Sequence, residues 1–426
     1  MWLRLAAVAV LIFFCGKFVF AQAPQPLTLN DAFVRVADTH PELRLFGTRR
    51  NALTAELDRA TLRPPLVAGV SVENGLGTGE VRGLQSAELT LTLASVLERS
   101  GKLEVRRTLA QSRIDALAIE RETRRLDLLA EVARRYLVVV AAKQHAQIAE
   151  LEIAQRQHTV AGAKHRLQAG ASPESVVLTA QAALARAELD KARAEQRLLA
   201  ARQHLAVLWG ERHPQFEIAA VDPLVLPSIS EIIELTTMLE QTPELAYFAS
   251  EQRIREARLQ LAKSTASPDI EWQFGIRRLQ PSSDTALVGS ISIPLGSRSR
   301  AQPDIRAAEA ELASLEIERE VKDLSLYSTL TEAHGRYRAA QLEVERLQQD
   351  VLPKLVKAET VAERAYRAGA ISYLEWAHLQ SEQTSVRKQQ LDAALDGQHA
   401  LIEIQRLTGQ PFVVTSSLPL KTGDQP

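Results

Sequence analysis

Few side chains in this sequence have the type and spacing that chemistry requires. His158 and His165 stand seven residues apart on one face of a helical run. That spacing allows a metal contact, but the plainer assignment is two solvated histidines beside a loop. Gly75, Gly77 and Gly79 suggest a phosphate-cradling loop. Such a loop must open into a helix N-terminus, whereas alternating strand residues follow here. Gly101-Lys102 lacks the rest of a P-loop, no HExxH occurs, and no Ser/His/Asp set has local support. Ser372-x-x-Glu375 has the form of a capping box, in which the carboxylate returns to the Ser372 backbone N–H. None of this is an enzyme's equipment, and no cofactor is expected.

The elements that carry these residues are written twice. Residues 166–181 read RLQAGASPESVVLTAQ and residues 365–380 read AYRAGAISYLEWAHLQ, so Gly170 maps onto Gly369 at an offset of 369 − 170 = 199. The same offset carries Leu208-Trp209-Gly210 onto Leu407-Thr408-Gly409. Upstream, Thr39-His40-Pro41-Glu42-Leu43 is echoed by Gln241-Thr242-Pro243-Glu244-Leu245, each with proline at a first helical position and an acid behind it. Two repeats are therefore expected, over 24–210 and 229–410, joined by a proline-rich connection at 211–228 and followed by a tail at 411–426. At each turn the glycine should supply a left-handed C-cap, and Ser172 or Ser372 should cap the next helix.

Composition limits what the repeats can be. The chain has 426 residues, 51 Lys and Arg against 52 Asp and Glu, and only 5% aromatic residues. That balance favours long solvated helices with narrow seams, and it excludes a charge-driven nucleic-acid partner. Residues 1–23 combine Arg4, an apolar core and small residues at Ala21 and Ala23, the form of a cleaved secretory signal. Cleavage would leave 49 basic and 52 acidic residues, a charge of −3. Cys15 is the only cysteine, so the exported chain would have neither disulfides nor a thiolate metal site. Beyond the signal no apolar run is long enough for a transmembrane helix.

Residues 102–168 run without proline and would extend roughly 100 Å as a helix. Helices at 173–209 and 41–63, stacked end to end, match that length, and the second repeat does the same with 303–368 against 372–407 plus 243–264. Leu178, Ala182, Ala185, Leu189 and Ala192 recur at coiled-coil spacing and are expected to form a seam. A kink is expected at Pro353. Between the helices lie stretches of strict alternation, about 66–74, 86–94, 269–277 and 286–295, in two pairs joined by polar loops. Period-two patterning marks strands with one apolar and one polar face. Trp272 and Phe274 fall on the apolar face, where they would meet lipid or an aromatic belt. Strands of about nine residues suit a tilted membrane span. Four strands cannot close a barrel, and an open edge in lipid is forbidden. Several copies must then share one barrel: three would give twelve strands and a lumen, whereas two would give eight, whose interior side chains largely fill.

The tandem helix–strand–strand–helix halves and the Tyr366-x-x-Gly369-x-x-Ser372-x-x-Glu375 turn, taken with the signal, resemble the TolC family of outer membrane factors. The likeness spans nearly the whole mature chain and extends to Ile293-Pro294-Leu295 and the stretch Arg300–Leu312. Ser100-Gly101-Lys102 is similar to a Gly-Lys-Arg stretch of the heavy-metal-efflux branch, although Leu103 stands where that branch has arginine. The resemblance implies an α+β membrane protein. A homotrimer would build a twelve-stranded outer membrane β-barrel, continued by a periplasmic α-barrel of long helical hairpins. It implies a periplasmic adaptor and an inner membrane pump of the resistance-nodulation-division type as partners, with metal cations a candidate cargo. Six hairpin tips would then ring the periplasmic mouth, with Ala169, Gly170, Ala171, Ser172, Ala368, Gly369, Ala370 and Ser372 as adaptor contacts. The family carries Val-Gly-Leu or Val-Gly-Thr sequences at these tips, whereas this chain has Ala-Gly-Ala at both. It also places Glu375 and His378 at the two positions that line the narrow entrance. A conduit for type I protein secretion shares the same architecture. A periplasmic coiled-coil adaptor would explain the helices but not the four alternating strands.

Overall fold

The computed structural model describes residues 26–412, so the signal segment, Cys15 and the end of the tail lie outside the described residues. The first repeat contains α1 (Leu29–Thr39), α2 (Pro41–Ala60), β1 (Val67–Glu73), β2 (Glu88–Leu97), α3 (Lys102–Gln168) and α4 (Glu174–Ala206). The second contains α5 (Ile232–Leu239), α6 (Pro243–Thr265), β3 (Ile270–Leu279), β4 (Asp284–Ser292), α7 (Ser297–Arg346), α8 (Leu352–Arg367) and α9 (Tyr373–Thr408). Helix α3 alone has 67 residues, about 100 Å of rise. Near the strands the helices lie side by side in the order α2, α3, α6, α7; toward the turns the order is α4, α3, α9, then α7 and α8.

The strands form one antiparallel sheet in the order β1-β2-β3-β4, with β1 and β4 as its edges. Its register places Val70 opposite Leu91, Leu91 opposite Ile276, and Ile276 opposite Leu287, a continuous apolar row across all four strands. The next row is Ala68, Leu93, Phe274 and Gly289. On the other face Arg277 bonds Thr90 Oγ1 at 3.0 Å and pairs with Glu88 at 2.9 Å. Gly275 sits in this polar row because a Cβ there would come within 2.4 Å of the Leu91 carbonyl. Strand β2 runs to Leu97, three residues past the expected end at 94, because Val96 and Leu97 pair with Glu271 and Ile270.

Each sheet pair feeds its long helix through a glycine at the helix N-cap in the left-handed region, Gly101 at φ 68° and Gly296 at φ 78°. The second of these starts α7 at Ser297, six residues before the proline-based expectation at 303, and Pro303 is carried inside the helix. The junction of the first is fixed by Lys102, whose ammonium donates to Asp269 at 2.7 Å and to the Ser267 carbonyl at 3.0 Å.

Two equivalent cores sit where short helices stack end to end. In one, α1, the start of α2 and the end of α4 enclose Leu128–Ala142 of α3; in the other, α5, α6 and the end of α9 enclose Leu326–Tyr337 of α7. Each is centred on a fully buried tyrosine whose hydroxyl donates to a carbonyl of the incoming chain, Tyr136 to Leu27 and Tyr337 to Pro227. Burial pushes both phenols up to about 12.

Within the single chain the buried stripe of α4 is Val177, Ala180, Ala187, Ala194, Ala201 and Leu205, whereas Leu178, Ala182, Ala185, Leu189 and Ala192 of the expected seam are all exposed. Both stripes have coiled-coil spacing, and only the one facing α3 is covered here. The disturbance expected at Pro353 takes the form of a π turn over Leu347–Val351, just before α8. Widening that turn absorbs the hydrogen bond proline cannot make.

Candidate functional site at the turns and the sheet

The two turns are built alike. At the first, Gly170 has φ 69°, its N–H donates to Leu167 O, and Ala171 N–H donates to Arg166 O at 2.9 Å. At the second, Gly369 has φ 81°, its N–H donates to Tyr366 O, and Ala370 N–H donates to Ala365 O at 2.8 Å. This is the pattern that closes a helix with a left-handed residue. The following caps differ. Ser372 accepts from Glu375 N–H at 3.3 Å while Glu375 Oε2 accepts from Ser372 N–H at 2.7 Å, a complete capping box. Ser172 does not cap: Pro173 occupies the N-cap of α4, and no side chain bonds the helix end there. A proline following the serine moves the helix start one residue on, and its ring cannot accept a hydrogen bond.

Glu375 is exposed, and hydrogen bonds from the Ser372 backbone and then its hydroxyl hold its carboxyl below the ordinary glutamate range. His378 lies one helical turn on and is likewise exposed. The eight turn residues of the two hairpins flank a shared cluster that joins them. Val160 and Ala163 of α3, Val177 and Ala180 of α4, Ala362 and Tyr366 of α8, and Tyr373 and Trp376 of α9 pack together. Trp376 stacks on Tyr366 with ring centroids 5.0 Å apart, and its Nε1 donates to Glu359 at 3.0 Å. Arg166 lies 4.8 Å over the Tyr366 ring and donates to the carbonyls of Tyr366 and Ala171. Sequence reading had singled out the turn glycines and missed Arg166 and Trp376, whose partners lie far along the chain. No local pattern marks the contact, because the first long helix carries His165-Arg166-Leu167 near its end and the second Ala365-Tyr366-Arg367. His158 reaches Glu363 at 2.8 Å instead of pairing with His165, and among the described residues no group of three or more potential ligands is placed to hold a metal.

At the opposite end, Trp272 and Phe274 share the apolar face of β3 with centroids 5.7 Å apart, and Phe274 is 60% exposed. Val70, Leu91, Leu287 and Ile291 are also exposed there. Among the described residues no helix is long and apolar enough to cross a membrane.

The family profile described as outer membrane efflux protein matches residues 37–211 and 235–410, one copy per repeat. The chain belongs to the outer membrane efflux protein family. This family member is 25% identical over 394 residues to the cobalt-zinc-cadmium resistance protein CzcC of Cupriavidus metallidurans, covering 91% of each chain. It is 23% identical over 333 residues to the pyoverdine export outer membrane protein OpmQ of Pseudomonas putida, covering 76% of this chain and 70% of that one. A crystal structure of CusC, described in terms of transmembrane channel formation, superposes with a TM-score of 0.75 at 19% identity over 90% of this chain and 92% of that one. The fold is therefore that of solved channels, and the efflux protein is an outer membrane transport component whose helices extend into the periplasm. Its α+β class, with long helical hairpins and four strands, stands as expected.

Proposed function

We propose that three copies of this efflux protein form one channel, each lending four strands to a twelve-stranded barrel. The observation that carries the reading is the open sheet. Among the described residues β1 and β4 each have one edge without a neighbouring strand, and Val70, Leu91, Phe274, Ile276 and Leu287 of the apolar face are exposed. Bare edges in hydrocarbon leave backbone groups unpaired, so the sheet needs copies of itself to close. The exposed stripe of α4, Leu178 to Ala192, supplies the matching helical seam between copies. Below the barrel the helices continue as a tunnel, and the turns at Ala169–Ser172 and Ala368–Ser372 meet a periplasmic adaptor that links to an inner membrane pump of the resistance-nodulation-division type.

The cargo proposed is metal cations, supported by the 91% coverage of a cobalt-zinc-cadmium resistance protein. Three copies of Glu375, beside His378 at the narrow end, would attract cations and disfavour anions. Size determination in detergent tests the assembly, with a homogeneous monomer holding a closed barrel as the result that defeats it. Deletion of the gene tests the cargo. Increased sensitivity to zinc, cobalt or cadmium supports it, and loss of a secreted protein with unchanged metal tolerance would replace it with protein secretion.

A further inference from the structure

A groove of about 640 Å³ crosses α3 between the first turns of α2 and α6, and its walls are a product of the internal repeat. Glu42, Leu45 and Phe46 of α2 form one side; Glu244, Tyr247 and Phe248 of α6, at the same spacing behind the same Pro-Glu-Leu start, form the other. The lining is predominantly apolar and aromatic. Tyr247 and Phe248 meet edge to face at 6.0 Å, and the Arg49 guanidinium already lies 5.4 Å over the Phe46 ring.

The charges in this groove are unevenly matched. Glu42 is paired with Arg124, and Glu120 with Arg49 at 2.8 Å. Asp127 and Glu244 share one cation, Arg406, at 2.7 and 3.0 Å. The Glu244 side chain is 6% exposed, and its second oxygen, Oε2, is buried without any hydrogen-bond partner. A buried carboxylate oxygen left unbonded is costly, and as an acceptor it is relieved only by a donor. Lys322, on the α7 wall of the groove, is the one lining cation with no ion pair among the described residues.

We propose that this groove binds an organic cation, an aromatic or apolar body carrying a protonated amine, with Glu244 turning its unbonded Oε2 to the groove wall to accept from the ammonium and the body lying against Phe46, Tyr247 and Phe248. Aromatic walls with few convergent polar groups are the usual make-up of small-molecule sites, and ring faces favour cations. An anion would find Lys322, but it would also lie against the carboxylates of Asp127 and Glu244, which share a single arginine. A metal ion would leave the aromatic walls without a role. The site is distinct from the turns and stands whichever cargo the channel carries.

The test is calorimetric titration of the full-length protein in lipid nanodiscs with 2-naphthylmethylamine and with its neutral counterpart 2-naphthalenemethanol. The amine is expected to bind about tenfold tighter or more, the scale of one charge-assisted hydrogen bond. Glu244→Gln should abolish that preference, and Lys322→Met should preserve or increase it. Equal binding of the two probes to the wild type, or no binding of either, overturns the proposal, as does a preference that survives Glu244→Gln. Should that substitution disturb folding through Arg406, Tyr247→Ala replaces it, because Tyr247 is 40% exposed and its removal leaves the helix cores intact. Affinity for both probes should then fall about tenfold, and unchanged affinity again overturns the site.

Discussion

Glu375 caps α9, and in the proposed channel it would also present its charge at the entrance. Its Oε2 holds the start of α9, while its exposure leaves the charge available to solvent. Because the depressed carboxyl stays ionised to more acidic pH than a free glutamate, cation preference should persist as pH falls and be lost only below the ordinary glutamate value. Glu375→Gln should reduce that preference in single-channel recordings at low salt, while the helix start survives because glutamine also serves there. At the sheet, Trp272→Arg should impair insertion at a cost of about 2 to 4 kcal/mol at mid-bilayer, read as the yield of inserted trimer. The two buried tyrosines give a third expectation. A phenol whose pKa is raised by folding stabilises the fold fully below about pH 10, its unfolded value, and loses that contribution as pH rises through about 12. Tyr136→Phe with Tyr337→Phe should therefore cost about 1 kcal/mol per lost hydrogen bond at neutral pH. It should also shift alkaline unfolding to higher pH, and thermal melts across pH 8 to 12 would register both effects.

Among the elements, what the sequence made legible was local. Alternation of apolar and polar residues identifies strands because the sheet leaves one face apolar over its whole width. The helical run expected from 102 to 168, bounded by Gly101 and the Ala169-Gly170-Ala171 turn, coincides with α3 to the residue. The glycine at each turn is legible because left-handed backbone strongly favours it. Two alanine- and leucine-rich rows of α4 share the seam spacing, and only the neighbouring helix decides which is covered within the chain. Ser172 was misread because Pro173 takes the cap. The aromatic cluster under the turns was illegible because Arg166 and Tyr366 are brought together by the packing of one repeat on the other. A matched pair of substitutions separates the two rows of α4. Ala187→Glu places a charge where the chain leaves 1% exposure and should prevent stable folding. Ala185→Glu, on the exposed row, should leave the monomer folded but weaken the trimer. Size distribution in detergent and thermal unfolding together distinguish these outcomes.

At the level of the whole molecule, an open sheet and an uncovered helical row occur on the same chain, and in the proposed trimer both would be relieved by the same neighbour. Since Cys15 is the only cysteine and lies in the segment expected to be a cleaved signal, cysteines introduced singly along β1 and β4 would have no native competitor once it is removed. A β1 variant combined with a β4 variant in one chain should give disulfide-linked dimers and trimers on non-reducing gels. Crosslinks confined to one chain, closing β4 back onto β1, would show instead that the sheet seals itself.

The π turn of the second repeat has a further meaning when residues are counted around the helix axis. From the buried Tyr136 to Leu167 at the first turn is 31 residues; from Tyr337 to the matching Tyr366 is 29. At roughly 100° per residue, a shortfall of two would leave Tyr366 about 160° out of phase with its counterpart, facing away from the other hairpin. One residue absorbed in the wider turn at Leu347–Val351 brings the difference back to about 60°. The π turn thus acts as an angular correction, restoring the rotational phase that unequal repeat lengths would have lost. Deleting a single residue within it should return the segment to regular α-helix and leave the Tyr366 end in phase, whereas deleting one between Leu352 and Tyr366 should swing that end by about 100°.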